Sequence, residues 1–299
     1  MRRYRIFLWL LAALLAGCSG LRLGYPQADI ILGWRANTYF DLDAEQRHEF
    51  SARLERLLAW HRYDQLPEYA SFISTAIKKS EHGLKPDDIA WFVDGFKARY
   101  RAIVNRGVGD AVEILTTLAP EQVTTLQNQF KKANRKFADE YELDGSTDKR
   151  KRARLKKTLS QIEEWTGNLS GEQEHKIAAL LDPLPLISHL HHQDRMRRQR
   201  EFVELLQMRR QKSEFASRLH PWLLNWEHGR AADYVKLSNE VSDQRAHFYI
   251  AVEKLLTREQ RQTVVRRLQR YADDCKSLSA HPPARTGTGN ARNAILAFY

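Results

Sequence analysis

The segment from Trp60 to Tyr69 gathers aromatic, cationic and acidic side chains within ten residues. Proline is favoured in the first turn of a helix, so Pro67 indicates a junction between two helices. One interpretation is an enzyme site in which His61 and Asp64 act together in proton transfer. The interpretation that we favour is a packed corner with a hydrogen-bonded imidazole. Its members would be Trp60, His61, Arg62, Pro67 and Tyr69.

A second group of titratable side chains is the stretch Ser-His-Leu-His-His-Gln-Asp, which contains His189, His191 and His192. His189 and His192 would share one helix face, but a metal site needs at least one more ligand from another segment. We therefore predict a polar helix surface and no metal. No zinc-protease, serine-hydrolase or phosphate-loop motif occurs. The sequence therefore indicates no catalytic residue and no cofactor, and we predict a protein that binds and does not catalyse. The alternative function is that of an envelope hydrolase or wall-modifying enzyme that uses one of these two histidine-containing segments.

Positive charge is concentrated in short stretches. Residues 149–157 contain seven cations at the start of a predicted helix, where positive charge opposes the helix dipole, so local stability does not account for the run. Nucleic-acid binding would call for interleaved aromatic residues, which are absent, so we predict an anionic polymer or a protein of the cell envelope as partner. An ordinary solvated face is the alternative. The candidate binding residues are Lys149, Arg150, Lys151, Arg152, Arg154, Lys156, Lys157, Arg197 and Arg198.

The N-terminus has the pattern of a secretory signal peptide over residues 1–17, with arginines, an apolar run and small residues in that order. The junction Leu15-Ala16-Gly17-Cys18 resembles the lipobox of bacterial lipoproteins. This resemblance implies cleavage before Cys18 and acylation at that residue, and two or more acyl chains anchor a protein stably in a membrane. Ser19, in place of an aspartate, favours the outer membrane, with the protein facing the periplasm. The alternative is an ordinary cleaved signal.

The elements that would position these groups are helices. Apolar residues recur every three or four positions in nearly every long segment, most clearly from Ile89 to Leu115, and no sustained alternation occurs. With 42% hydrophobic and 28% charged residues, the chain is neither disordered nor a multi-span membrane protein. We predict an all-α array of antiparallel helical hairpins. We expect the chain to divide into a tether at 18–27, one domain at 28–278 and a disordered tail at 279–299. Cys275 is expected to be buried in the domain. Residues 295–299 of the tail are at most a docking segment.

A short motif, Leu-x-x-Glu-Gln, occurs four times, and each copy is typical of a helix start. In three copies the second residue, Asp43, Ser170 or Thr257, can cap the helix, and the glutamine three positions later completes a capping box. Proline in one copy suits the first helical position. Capping therefore explains the motif without any ligand. The copies begin at Leu42, Leu118, Leu169 and Leu256, and a degenerate copy begins at Leu84.

These helix starts are similar to elements of the Spy/CpxP-type periplasmic proteins, and this similarity suggests a chaperone-like variant of the binding function. The chain also resembles a family of uncharacterised lipoproteins of Gram-negative bacteria from about residue 18 to residue 278. The resemblance is carried by Leu21-Arg22-Leu23-Gly24-Tyr25, Trp34, Tyr39-Phe40-Asp41-Leu42 and the segment beginning at Trp60. It implies an anchored helical protein and brings no activity.

Overall fold

The computed structural model describes residues 20–81 and 83–281. Within these ranges the chain is helical apart from short connections and contains no strand, which confirms the all-α prediction. The predicted signal peptide, Cys18 and residues 282–299 lie outside the described residues. The α-helices are α1 (Gly20–Gly24), α2 (Ala28–Phe40), α3 (Ala44–Trp60), α4 (Leu66–Ser80), α5 (Pro86–Thr116), α6 (Pro120–Glu140), α7 (Thr147–Thr166), α8 (Gly171–Leu181), α9 (Ser188–Gln207), α10 (Lys212–Leu224), α11 (Ala232–Leu255) and α12 (Arg258–Ala280).

The ends of the described chain differ from the expected divisions. The segment that we expected to be a tether is helical from Gly20, with a 3-10 turn at Tyr25–Gln27 between α1 and α2. Leu21 and Tyr25 pack against buried residues of α4 and α12, so burial of apolar surface orders this segment. The last helix continues through Ser279 and ends at Ala280.

Three groups of buried side chains form the core. The largest joins α5, α6, α9 and α10 around Phe215 and Leu206, which have no accessible surface. A second joins α7, α8 and α11 around Ile177. The third joins α4 and α12 and contains the free Cys275, which is buried as predicted. The most extensive helix contacts are between α4 and α12 and between α5 and α10, so helices far apart in sequence close the fold.

The glutamines of the repeated motif meet in pairs. Gln46, at the start of α3, and Gln122, at the start of α6, exchange two hydrogen bonds between their side-chain amides, of 2.6 and 3.1 Å. Gln46 also donates to the Thr117 carbonyl at 3.1 Å, and Gln122 donates to the Asp41 carbonyl at 2.9 Å. Each side-chain oxygen accepts the backbone N–H that precedes its own helix. We call this arrangement the first glutamine pair.

The second glutamine pair repeats this arrangement. Gln173, at the start of α8, and Gln260, at the start of α12, exchange amide hydrogen bonds of 2.8 and 3.0 Å. Gln173 donates to the Leu255 carbonyl at 2.8 Å, and Gln260 donates to the Asn168 carbonyl at 2.9 Å. The predicted capping boxes are present at both of these helix starts.

The two pairs together saturate the hydrogen-bonding capacity of their four side-chain amide groups. A glutamine side chain has two N–H donors and an oxygen that accepts twice, and each of these is used in all four residues. Each pair therefore joins two helix–helix corners by hydrogen bonds. The first pair joins the α2–α3 corner to the α5–α6 corner, and the second joins the α7–α8 corner to the α11–α12 corner.

Replacing Gln46 by glutamate should lower the free energy of unfolding by about 2–3 kcal/mol, because a carboxylate cannot donate to Thr117 or Gln122 and leaves the Thr117 carbonyl without its hydrogen-bond partner. The loss should occur although a negative charge at a helix start is otherwise favourable. The exposed neighbour Glu45→Gln is the control and should change stability by less than about 0.5 kcal/mol. Urea unfolding followed by circular dichroism measures both. Equal stability of the two variants would contradict the role of the pair.

Candidate functional site

The corner between α3 and α4 is a π-helix, His61–Gln65. Leu66 donates its backbone N–H to the His61 carbonyl, five residues earlier. Pro67 lies in the first turn of α4, as predicted, and lacks the N–H that would continue the α-helical hydrogen bonds. Arg62 and Leu66 are buried here and His61 is half-buried. Single π-helical turns are frequent at functional sites.

The imidazole of His61 lies between two tyrosine hydroxyls. The Tyr25 hydroxyl is 2.8 Å from Nδ1, and the Tyr69 hydroxyl is 3.2 Å from Nε2. The Trp60 ring contacts the imidazole edge-on, with centroids 6.5 Å apart. The sequence predicted the hydrogen-bonded His61 but not Tyr25, which lies 36 residues away in the segment that was expected to be a tether.

Burial keeps this network neutral. It lowers the pKa of His61, raises the pKa of Tyr25 to about 12 and raises the pKa of Tyr69. At neutral pH the hydroxyls are therefore protonated and the imidazole is uncharged. A neutral imidazole donates through one nitrogen and accepts through the other, so the two tyrosines satisfy both positions. The network is suited to holding three helical segments together.

Arg62 supplies a buried positive charge beside this network. Its Nη1 donates to the carbonyls of Leu278 and His281, at 3.0 and 3.4 Å, at the C-terminal end of α12. The guanidinium also lies 4.9 Å from the centre of the Tyr25 ring. The negative end of a helix dipole stabilises a cation at this position. Arg62 therefore ties the corner to the last helix.

The N-terminal segment has a second link to α12. Arg22 forms an ion pair with Asp274, whose side chain is only 3% exposed. The adjacent Cys275 is buried, and burial together with the Asp274 carboxylate raises its pKa to about 11. The thiol is thus protonated at neutral pH and is a poor nucleophile.

The corner does not assemble the proton-transfer pair that the sequence offered as the enzyme alternative. Asp64 is exposed, and both nitrogens of His61 are occupied by tyrosine hydroxyls. Two of the three histidines of α9 lie beside aromatic rings: the centroid of the His192 ring is 5.5 Å from that of Phe137, and the His191 centroid is 6.5 Å from that of Tyr234. His189 is exposed. In the described ranges no three His, Cys, Asp or Glu residues are grouped to hold a metal ion.

Four of the seven cations at 149–157 have intramolecular partners. Arg154 donates to the carbonyls of Leu181, Leu184 and Pro185 at the end of α8. Lys151 and Lys157 form ion pairs with Asp182 and Glu140, and Arg150 donates to Thr147. The other three of the seven, Lys149, Arg152 and Lys156, are exposed and have no such partner among the described residues. Their spacing places them on one face of α7.

Arg197 and Arg198 belong to an ion network between α9 and the loop that follows α10. Arg197 pairs with Asp194 at 2.7 Å and with Glu201 at 2.5 Å. Arg198 lies 3.6 Å from the centre of the Trp222 ring and donates to its carbonyl. The positive charge of these two arginines is therefore used within the fold.

Sequence reasoning missed a further basic group on α6. Lys131, Lys132, Arg135 and Lys136 are exposed, have no ion-pair partner in the described part of the chain, and line a concavity of about 370 Å³ together with Asp139. Four cations in six residues were the available signal. The Lys157–Glu140 ion pair, at 2.9 Å, links α7 to α6. We define the basic surface as Lys131, Lys132, Arg135, Lys136, Lys149, Arg152 and Lys156.

An aromatic cluster occupies the other end of the α4–α5 hairpin. Phe72 stacks on Phe92 at 5.4 Å, and Phe92 contacts Phe96 edge-on at 4.9 Å. Phe92 and Phe96 are 38% and 57% exposed. Gly95 permits this approach, since a Cβ there would lie 2.2 Å from the Phe72 ring. The apolar stripe predicted on α5 is thus buried near Val112 but open to solvent at this end.

A family model described as "Family of unknown function (DUF6279)" matches residues 38–235, more than half of the chain. The chain belongs to this family. The prediction of an uncharacterised family is confirmed, while the lipid anchor and the likeness to Spy/CpxP stay predictions. No curated protein and no solved structure matches the chain. The region matched by the family model contains the π-helical corner, the first glutamine pair and the basic surface.

Among the described helices, none is long and apolar enough to cross a bilayer.

The neutral state of His61 predicts a pH dependence of stability. Its ordinary pKa of 6.5 is lowered in the folded protein, so the unfolded state binds more protons as the pH falls through this value. The stabilisation by His61 is therefore present above about pH 6.5 and is lost on acidification. The difference in unfolding free energy between the wild type and His61→Phe should shrink from about pH 7.5 to about pH 5, as measured by urea unfolding.

The control is His48→Phe, which replaces an exposed histidine and so measures the effect of losing an imidazole at the surface. A difference between wild type and His61→Phe that is constant with pH would contradict a buried, neutral imidazole.

Proposed function

We propose that this protein is a lipid-anchored, periplasm-facing protein of the outer membrane that acts by binding phosphate-bearing envelope components. The anchor would be Cys18. The observation that carries the binding function is the basic surface, whose seven exposed cations have no ion-pair partner among the described residues. Folding does not require these charges, so the fold leaves them available for a ligand.

The arrangement of the basic surface fits a polyanion. Lys149, Arg152 and Lys156 recur at steps of three and four residues, which forms one stripe along α7. The cations on α6 surround a concavity of about 370 Å³, large enough to receive phosphate groups. At physiological salt the field of each charge extends over about 8 Å, so neighbouring cations act together on a multivalent ligand. In the proposed periplasmic location, nucleic acid is not the natural ligand.

Reversing the α7 stripe with Lys149→Glu, Arg152→Glu and Lys156→Glu should weaken binding to phosphorylated lipopolysaccharide by at least about tenfold, because like charges then face the phosphates. Isothermal titration at low and physiological salt measures the loss. Wild-type affinity should itself fall as salt increases.

A matched control reverses three exposed cations of α12, Arg258, Arg270 and Lys276. Both triple variants change the net charge equally, so a general loss of attraction would affect them alike. Equal losses, or an unchanged affinity of the α7 variant, would remove the basic surface as the binding site.

A second function, chaperone-like binding of unfolded proteins, is supported by the aromatic cluster. Phe96 and Phe92 expose large apolar areas, and Arg99 lies 3.8 Å from the centre of the Phe72 ring. Exposed aromatic groups bordered by charges are suited to transient contact with apolar segments of a client. The repeated glutamines do not contribute to this second proposal, because their side chains are fully used in the glutamine pairs.

Replacing Phe96 by serine should remove most of any suppression of aggregation of a reduced, unfolded client, because this residue presents the most exposed ring of the cluster. Light scattering at equimolar protein and client measures the effect. Tyr249→Ser, at a 45% exposed aromatic residue of α11, is the control. A wild-type protein without effect, or equal activity of both variants, would rule out this function at the cluster.

A further inference from the structure

The first half of α2 is an apolar helical segment that the fold leaves partly exposed. From Ala28 to Trp34 its only charged residue is Asp29. Ile30, Leu32 and Trp34 are 37%, 41% and 40% exposed, and no residue of α2 is buried. Ile30 and Trp34 share one face while Leu32 points away from it, so the exposure is not confined to one side. A helix that is apolar all round normally lies in a protein core or in a membrane.

The two flanks of this segment are fixed to the protein. On one side Tyr25 packs into the core group of α4 and α12 and contacts His61. On the other side Tyr39 and Phe40 pack against the core group around Phe215. The exposed half of α2 therefore does not fray from the surface. It is held in place with Ile30 and Leu32 each exposed to solvent over more than a third of their surface.

Its place in the chain indicates what covers it. Residues 20–40 are helical almost throughout, and a helix rises 1.5 Å per residue, so Ile30 lies within about 15–20 Å of Gly20. Only Ser19 separates Gly20 from Cys18. An acylated Cys18 would hold this end of the folded protein at the bilayer surface. The apolar half of α2 would then lie within reach of the lipid headgroups.

We propose that the first half of α2 inserts into the bilayer interface and forms a second membrane contact beside the anchor. Ile30, Leu32 and Trp34 would enter the boundary between headgroups and acyl chains, where tryptophan is enriched and where interfacial helices bury their apolar residues. The exposed Arg35 follows at the level of the lipid phosphates. This inference rests on the proposed anchoring at Cys18, and it adds a fixed orientation of the folded protein on the membrane.

The test places an environment-sensitive fluorophore at position 30. Ile30→Cys is labelled with a nitrobenzoxadiazole probe in the full chain, purified from membranes and reconstituted into vesicles of phosphatidylethanolamine and phosphatidylglycerol. Cys275 is buried and does not compete for the label. The matched control is Val235→Cys in α11, where the native side chain is 39% exposed. Mass spectrometry of the N-terminal peptide of the same sample reports acylation of Cys18.

The expected result is a blue-shifted emission at position 30 that is quenched by doxyl-labelled lipids, with neither effect at position 235. Water-like emission at position 30 would overturn the inference. A blue shift without lipid quenching would also overturn it, since a protein surface or a second copy would then cover the helix. An unmodified Cys18 would contradict the proposed anchor. Because its free thiol would then also take the label, the membrane contact would be decided by the same label at position 30 in a Cys18→Ser background.

Discussion

The glutamine pairs are the interaction on which the helical arrangement depends. A helix start leaves backbone N–H groups without partners, and a helix end leaves carbonyls without partners. Each paired glutamine satisfies one N–H at its own helix start and one carbonyl at the opposite corner, so both requirements are met only when two corners dock. Leu118 and Val123, beside the first pair, belong to the largest core group. Hydrogen bonding at the corners and apolar packing therefore specify the same arrangement.

The sequence predicted the local part of this arrangement and not the long-range part. Asp43, Ser170 and Thr257 cap their helices as their types and spacing predict. The partner of each glutamine is 76 or 87 residues away, and nothing in the motif distinguishes one copy from another. The all-α class followed from periodicity, whereas the contact of α4 with α12 depends on side-chain fit between segments nearly 200 residues apart.

The same limit applies to the candidate site. Arg152 and Arg154 are equivalent in the sequence run, yet Arg152 is exposed while Arg154 reaches three carbonyls at 181–185. Tyr25 could not be assigned to His61 because their contact depends on the fold of the N-terminal segment. Features set by neighbours in sequence, such as the turn at Pro67, were predictable. Features set by which helices pack together were not.

The two glutamine pairs also occupy separate stretches of the chain. The first is formed within residues 41–122 and the second within residues 168–260, so neither loop encloses or crosses the other. The entropic cost of closing such loops grows only slowly with loop length. Because the two loops do not overlap in sequence, each can close independently of the other. During synthesis the first pair needs no residue after Gln122. The first glutamine pair can therefore form before the second while the chain is synthesised from its N-terminus.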